Sequence, residues 1–123
     1  KIAVLSIGAI GNTVIDAINS MDIGKQNLFA HYDMRWLKPI DEMLLEEIAQ
    51  QFNTIVTVED GMVSGGLGSA VLEYMADHGY TPKVIRLGVH DQFVEHGSTK
   101  ELYQLLKLDK EGICESLLQA LEQ

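Results

Sequence analysis

The chain of 123 residues has one cysteine, two prolines, half as many basic as acidic side chains, and no long apolar run. Each shortage excludes something. With Cys114 alone there is no internal disulfide, which fits a reducing compartment. Nine Lys and Arg against 18 Asp and Glu leave a net charge of −9 without a basic cluster. Nucleic acid and anionic membrane are therefore excluded as partners, because phosphate binding needs concentrated positive charge. No apolar stretch approaches the roughly 20 residues that span a bilayer, and no signal-peptide pattern opens the chain. Cytoplasm is the simplest expected address. Two prolines with 46% hydrophobic residues leave no room for a disordered linker or a low-complexity segment.

What is present fits one domain large enough to bury a core. Ile2 to Ile7 is an apolar run closed by Gly8, as expected of a parallel strand covered on both faces. That run starts directly after Lys1 with no polar lead-in, so the chain reads as a piece of a longer polypeptide. Val14, Ala17, Ile18 and Met21 then repeat at helical spacing, with Asn12 or Thr13 as the expected N-cap. A strand is expected over Asn27 to Met34, and Pro39 stops it from continuing. Asp41 caps a helix whose inward face is Leu44, Leu45, Ile48 and Phe52, with Ile40 and Leu45 placed as a hydrophobic staple.

Thr54 to Val58 reads as a third strand, rich in β-branched residues. Leu67, Val71, Tyr74 and Met75 mark a helix ending at Gly79, and Lys83 to Leu87 a fourth strand. After the long connection HDQFVEHGS, Ser98 and Glu101 form a capping box for a helix carrying Leu102, Leu105 and Leu106. A last helix has Cys114, Leu117, Leu118 and Leu121 on one face. Strands alternating with helices at this spacing predict right-handed crossovers and a three-layer αβα domain with a mostly parallel sheet.

The stretch VTVEDGMVSGGLGSA, residues 56–70, raises the question of phosphate binding. Gly61 and Gly66 have the spacing of half a P-loop, but Leu67 and Gly68 stand where its Lys and Ser/Thr belong. Gly66-Leu67-Gly68 could open a dinucleotide fingerprint, yet Val71 occupies the third glycine position. Glu59 and Asp60 would repel a pyrophosphate. Around Ser64 a nucleophile elbow fails, because Met62 replaces its first glycine. The favoured reading is that the glycines permit close backbone approach, in this chain or at a contact with another. Anion capture by the free amides of the helix start is the alternative.

His90, Asp91, Glu95 and His96 lie within seven residues without the zincin order, and His31 and His78 sit elsewhere, so capping or interface roles are preferred to a metal. Cys114 on an apolar helix face reads as a small hydrophobe. Asp33, Arg35, Lys38 and Asp41 follow a strand end, where open α/β sheets place ligands and contacts. A solvated loop with an internal ion pair and an interface both remain open for them.

Three segments together, HYDMRWLKPID, TVEDGMVSGGLGSAVLEYMADHGY and RLGVHDQFVEHGSTKEL, resemble the C-terminal domain of transketolase-like thiamine diphosphate enzymes. The resemblance covers nearly the whole chain. It is carried first by Asp33, Arg35, Lys38, Pro39 and Asp41. It continues in Glu59, Gly65, Gly66, Gly68 and Ser69, and then in Gly88, Asp91, Phe93, Glu95, His96 and Gly97. The last run is most similar to the 1-deoxy-D-xylulose-5-phosphate synthase branch. One departure is Gly88-Val89-His90, where that branch commonly has a proline before the Asp.

The resemblance implies a full enzyme that condenses pyruvate with glyceraldehyde 3-phosphate, with loss of carbon dioxide, to supply isoprenoid, thiamine and pyridoxal precursors. It implies a homodimer using thiamine diphosphate and magnesium, both held by two preceding domains. The family's diphosphate motif is absent here, so no catalytic, cofactor-binding or metal-binding residue is expected in this chain. The implied sheet has five strands, the first antiparallel and lying before Lys1. The other four are expected in the order 2-1-3-4, which puts GAIGN and EDGMVSGGLGS at the crevice of the switch point. That crevice is expected to serve a dimer or domain interface. The alternatives are the same domain of a pyruvate dehydrogenase β subunit or a transketolase, or a free-standing anion- or nucleotide-binding module using Gly65 to Ser69.

Overall fold

The computed structural model describes residues 1–36, 39–62, 66–89 and 103–122. The elements run β1 (Ile2–Ser6), α1 (Ile10–Asn19), α2 (Ile23–Gln26), β2 (Phe29–Asp33), α3 (Glu42–Gln51), β3 (Thr54–Met62), α4 (Leu67–Asp77), β4 (Lys83–Val89) and α5 (Lys110–Leu121). Among the described residues there is one sheet of four strands in the order β2-β1-β3-β4, with every neighbouring pair parallel. Strand order reverses between β1 and β3, where Ser6 lies opposite Val58.

Alternation along the strands builds two cores. Ile2, Val4, Val56 and Val58 face α1 and α5, where Val14, Ala17, Ile113 and Leu117 meet them. Ala3, Leu5 and Ile55 face α3 and α4, against Leu45, Ile48, Leu67 and Val71. β1 is buried at all five positions because both of its faces are covered. Each fully buried Leu, Ile or Val contributes about 1.5–3 kcal/mol of transfer free energy, so this double burial is the main stabilising term.

Several boundaries depart from expectation, each for a local reason. α1 begins at Ile10 with Ala9 at its N-cap, so Asn12 and Thr13 lie inside the helix and cap nothing. Gly8 adopts φ +85°, turning the chain at once after β1, and Gly11 then fits over Ser6, where an added Cβ would lie 2.9 Å from Ser6 Oγ. Met21 is buried but lies beyond the end of α1. A short α2, capped by the Asp22 carboxylate on the Lys25 N–H at 3.0 Å, fills what reads as the start of the second strand and delays β2 to Phe29. β3 and β4 both run longer than their apolar cores, to Met62 and Val89, with an irregular register between Val58 and Met62.

Other expectations hold. Asp41 Oδ1 accepts the Leu44 N–H at 3.0 Å and starts α3. α4 ends before Gly79, whose φ of +77° lets the Tyr80 N–H reach back to the Met75 carbonyl. Leu117 is buried in α5, with Cys114, Leu118 and Leu121 packed around it. Its cap, Asp109 accepting from Gly112 at 2.9 Å, has no counterpart in the sequence reading. Leu106 packs on the core while Leu105 is exposed. The expected cap residues Ser98 and Glu101 and the neighbouring Leu102 lie outside the described residues.

Candidate functional site

β3 carries Ile55, Thr57 and Glu59 on its α4 side, and the chain returns as α4 eight residues after Glu59. Glu59 is only 4% exposed, and its carboxylate accepts two backbone N–H groups, from Leu67 and Gly68, both at 2.9 Å. Gly66, the N-cap residue, supplies no side-chain acceptor. A helix start presents unsatisfied amides and about half a positive charge, and here an internal anion takes both. Charge-assisted bonds of this kind are among the stronger ones a protein makes. At the Leu67 and Gly68 amides the anion is thus the protein's own carboxylate.

The glycines follow from that closure. An added Cβ on Gly68 would lie 2.7 and 2.8 Å from the side-chain carbons of Arg86 and 3.1 Å from Thr57 Oγ1. A glycine here lets α4 seat its first turn against β3 and β4 without displacing the Arg86 side chain. Thr57 Oγ1, beneath it, is buried with no hydrogen-bond partner among the described residues.

The first two motif segments meet. A groove of about 930 Å³ has Trp36, Pro39, Ile40, Asp41 and Met43 along one side. Gly66, Ser69, Glu73, Tyr74, Asp77 and His78 lie along the other. Asp33 ends β2 opposite Ser6, and it and Arg35 are exposed. Asp41 is committed to the α3 cap. Residues 8–12 do not line this groove; of them Gly11 lies against Ser6. Lys38, Gly65, Asp91, Phe93, Glu95, His96 and Gly97 lie outside the described residues.

Two polar constellations escaped the sequence reading. Ser6 Oγ, fully buried, shares a 2.6 Å hydrogen bond with Nε2 of His31 on the neighbouring strand. Burial lowers the His31 pKa below 6.5, with Asp33 opposing the shift. With a serine sealed from solvent, the pair is built for packing and not for nucleophilic attack. Away from it, Glu46 of α3 accepts hydrogen bonds from the Tyr80 hydroxyl, from the Tyr74 hydroxyl at 2.7 Å and from Gln50 at 2.9 Å. These bonds, Tyr80 first, hold the Glu46 pKa below its usual value, and the bond to Glu46 pushes Tyr74 up to about 12. Tyr74 also stacks on His78 at 4.0 Å. The tyrosine partners of Glu46 lie 28 and 34 residues away, and no local spacing announces them.

The comparisons with known proteins agree with this geometry. The family profile "Transketolase, C-terminal domain" matches residues 1–113. A 1-deoxy-D-xylulose-5-phosphate synthase of Parabacteroides distasonis is 60% identical over 116 residues, 94% of this chain and 18% of the relative. The enzyme of that name from Bacteroides thetaiotaomicron is 52% identical over 121 residues, 98% of this chain and 19% of the relative. The chain therefore spans about a fifth of the length of these relatives. A solved structure titled "Split gene transketolase, inactive beta4 tetramer" superposes with a TM-score of 0.82 at 29% identity, over 99% of this chain and 39% of that one.

Proposed function

The chain belongs to the transketolase C-terminal-domain family, and from that premise we propose that it is the C-terminal assembly domain of a 1-deoxy-D-xylulose-5-phosphate synthase. The whole enzyme would join pyruvate to glyceraldehyde 3-phosphate with release of carbon dioxide, using thiamine diphosphate and magnesium, as a cytoplasmic homodimer. The identity of 60% to a synthase of that name supports the assignment. This domain would supply folding and subunit assembly to the preceding domains, not the reacting groups.

The observation that carries the division of labour is Glu59. Its carboxylate occupies the first two amides of α4, so the described residues do not fit a diphosphate at the glycine-rich turn. Among the described residues no group of three or more His, Cys, Asp and Glu is arranged to hold a metal. Against a free-standing anion module at Gly65 to Ser69, the Leu67 and Gly68 amides already have an acceptor in Glu59. No described helix is long and apolar enough to cross a membrane.

Expressed alone, the 123-residue chain is expected to show no turnover of pyruvate and glyceraldehyde 3-phosphate and no thermal shift with thiamine diphosphate and Mg²⁺. The full-length protein is expected to turn both substrates over. Activity of the short chain, or a full-length protein inactive on this pair, overturns the reading.

A further inference from the structure

The groove between the β2–α3 connection and α4 has a surface that the closure by Glu59 does not explain. Trp36 is 56% and Met43 85% exposed on one side of it, with Pro39 exposed between them. Single exposed hydrophobic residues are ordinary, but here two large ones line the same concave surface, the setting in which apolar exposure favours a contact. The rim is acidic. Glu42, Glu73 and Asp77 are exposed along it, and among the described lining residues there is no Lys or Arg.

That combination selects the occupant. An anionic small molecule or nucleic acid would meet carboxylates. A second copy docking the same face about a two-fold axis would set acidic rim against acidic rim. An apolar anchor flanked by Lys or Arg satisfies both the floor and the rim. The relatives are about five times as long as this chain, so most of such a protein lies outside these residues and is available to fill the groove. We propose that the groove docks a basic, apolar-tipped segment of the full-length polypeptide lying outside these 123 residues. The tip packs on Trp36 and Met43, and its positive charges meet Glu73 and Asp77. The inference rests on the chain being one domain of a longer synthase and names the partner of its assembly surface. Gly66 and Ser69 form one end of the groove, so Glu59, by fixing the start of α4, also fixes the shape of the docking surface.

Peptide-resolved alkylation tests it. Met43→Cys and, as a control at another exposed hydrophobic site, Ile23→Cys are introduced separately into the full-length protein and into the 123-residue chain. In the short chain both should react alike. In the full-length protein Met43→Cys should react about tenfold more slowly than Ile23→Cys, the ratio for a groove occupied about nine-tenths of the time. The further changes Glu73→Lys and Asp77→Lys should abolish that protection. Equal reactivity in the full-length protein overturns the proposal, as does protection that grows with protein concentration, which assigns the groove to a second copy. Protection that survives the two charge reversals overturns the basic partner. Turnover is measured on the same samples: equal reactivity with activity intact overturns the docking and leaves the synthase reading standing, whereas protection without turnover supports the docking and overturns that reading.

Discussion

Gly68 donates its backbone N–H to the carboxylate of Glu59 at 2.9 Å, which ties the first turn of α4 to the end of β3. The same carboxylate serves Leu67, so a single buried side chain satisfies the helix start that a bound anion would otherwise satisfy. Glu59→Ala leaves two amides without an acceptor and removes the negative charge from the positive end of α4. The expected loss is about 2–6 kcal/mol, from roughly 1–3 for each of the two orphaned amides, with the lost dipole interaction a smaller part. Urea unfolding of the 123-residue chain measures it. The variant, unlike the parent, should gain stability in millimolar sulfate, because the vacated helix start becomes an anion site. Equal responses to sulfate would remove the internal-anion account.

Gly68→Ala tests the packing half of that account. The new methyl would press on the Arg86 side chain at 2.7–2.8 Å, a distance that real contacts do not tolerate, and should cost about 1–3 kcal/mol. The aliphatic part of Arg86 can be cut away, so combining the change with Arg86→Ala should recover part of the loss. A double-mutant cycle reads the coupling, and strict additivity would show that the two side chains do not compete for the space.

Thr57 sits under the same turn with its hydroxyl buried and without a partner among the described residues. Thr57→Val keeps the shape and removes the unsatisfied oxygen. It is expected to stabilise the chain by about 1 kcal/mol, seen as a higher urea midpoint at unchanged slope. A lower midpoint would mean that the hydroxyl has a favourable role in the fold.

The sequence carries the layers because those depend on periodicity, whereas the strand order is legible only through the family resemblance. Ile2 and Val4 against Ala3 and Leu5 already separate the two cores. Caps with a side chain three residues from its amide, such as Asp41 on Leu44, are equally legible. Glu59 is different. Its acidity speaks against phosphate in the sequence, but its capture of amides eight and nine residues later depends on how α4 folds back over β3. Ser6 with His31, and Glu46 with its tyrosines, are long-range pairs of residue types common on any surface, so no spacing distinguishes them. Asn12 and Thr13 look like caps in the sequence, yet α1 starts before them, directly after the left-handed turn at Gly8.

Glu46 joins α3 to Tyr74 and Tyr80, and its titration should be visible in stability. Its folded pKa lies below the ordinary 4.5, so its contribution is full above that value and is lost as pH falls through the folded pKa. Tyr74 works in the opposite sense: with its pKa raised from 10.0 to about 12, its contribution is full below 10.0 and is lost as pH climbs toward 12. Glu46→Gln should flatten both limbs of the stability curve measured by urea midpoint against pH. A variant whose acid and alkaline limbs match those of the parent would show that the hydroxyls are not held by this carboxylate.

His31 gives a pH dependence nearer neutrality. Burial between β1 and α1 disfavours the imidazolium, and Asp33 only partly offsets it, so the folded pKa is below 6.5. The unfolded chain then binds the proton more readily, and stability must fall as pH drops below 6.5, levelling off only under the folded pKa. His31→Gln retains a group able to bond Ser6 Oγ but cannot titrate. It should therefore remove the slope in that window while leaving the midpoint above pH 7 nearly unchanged. Ser6→Ala, by contrast, should lower stability at every pH, by about 1 kcal/mol, because it leaves the His31 nitrogen without its partner at the buried end of the strand. If His31→Gln keeps the parent's slope just below pH 6.5, the proton responsible belongs to another group and the Ser6–His31 pair is a packing contact alone.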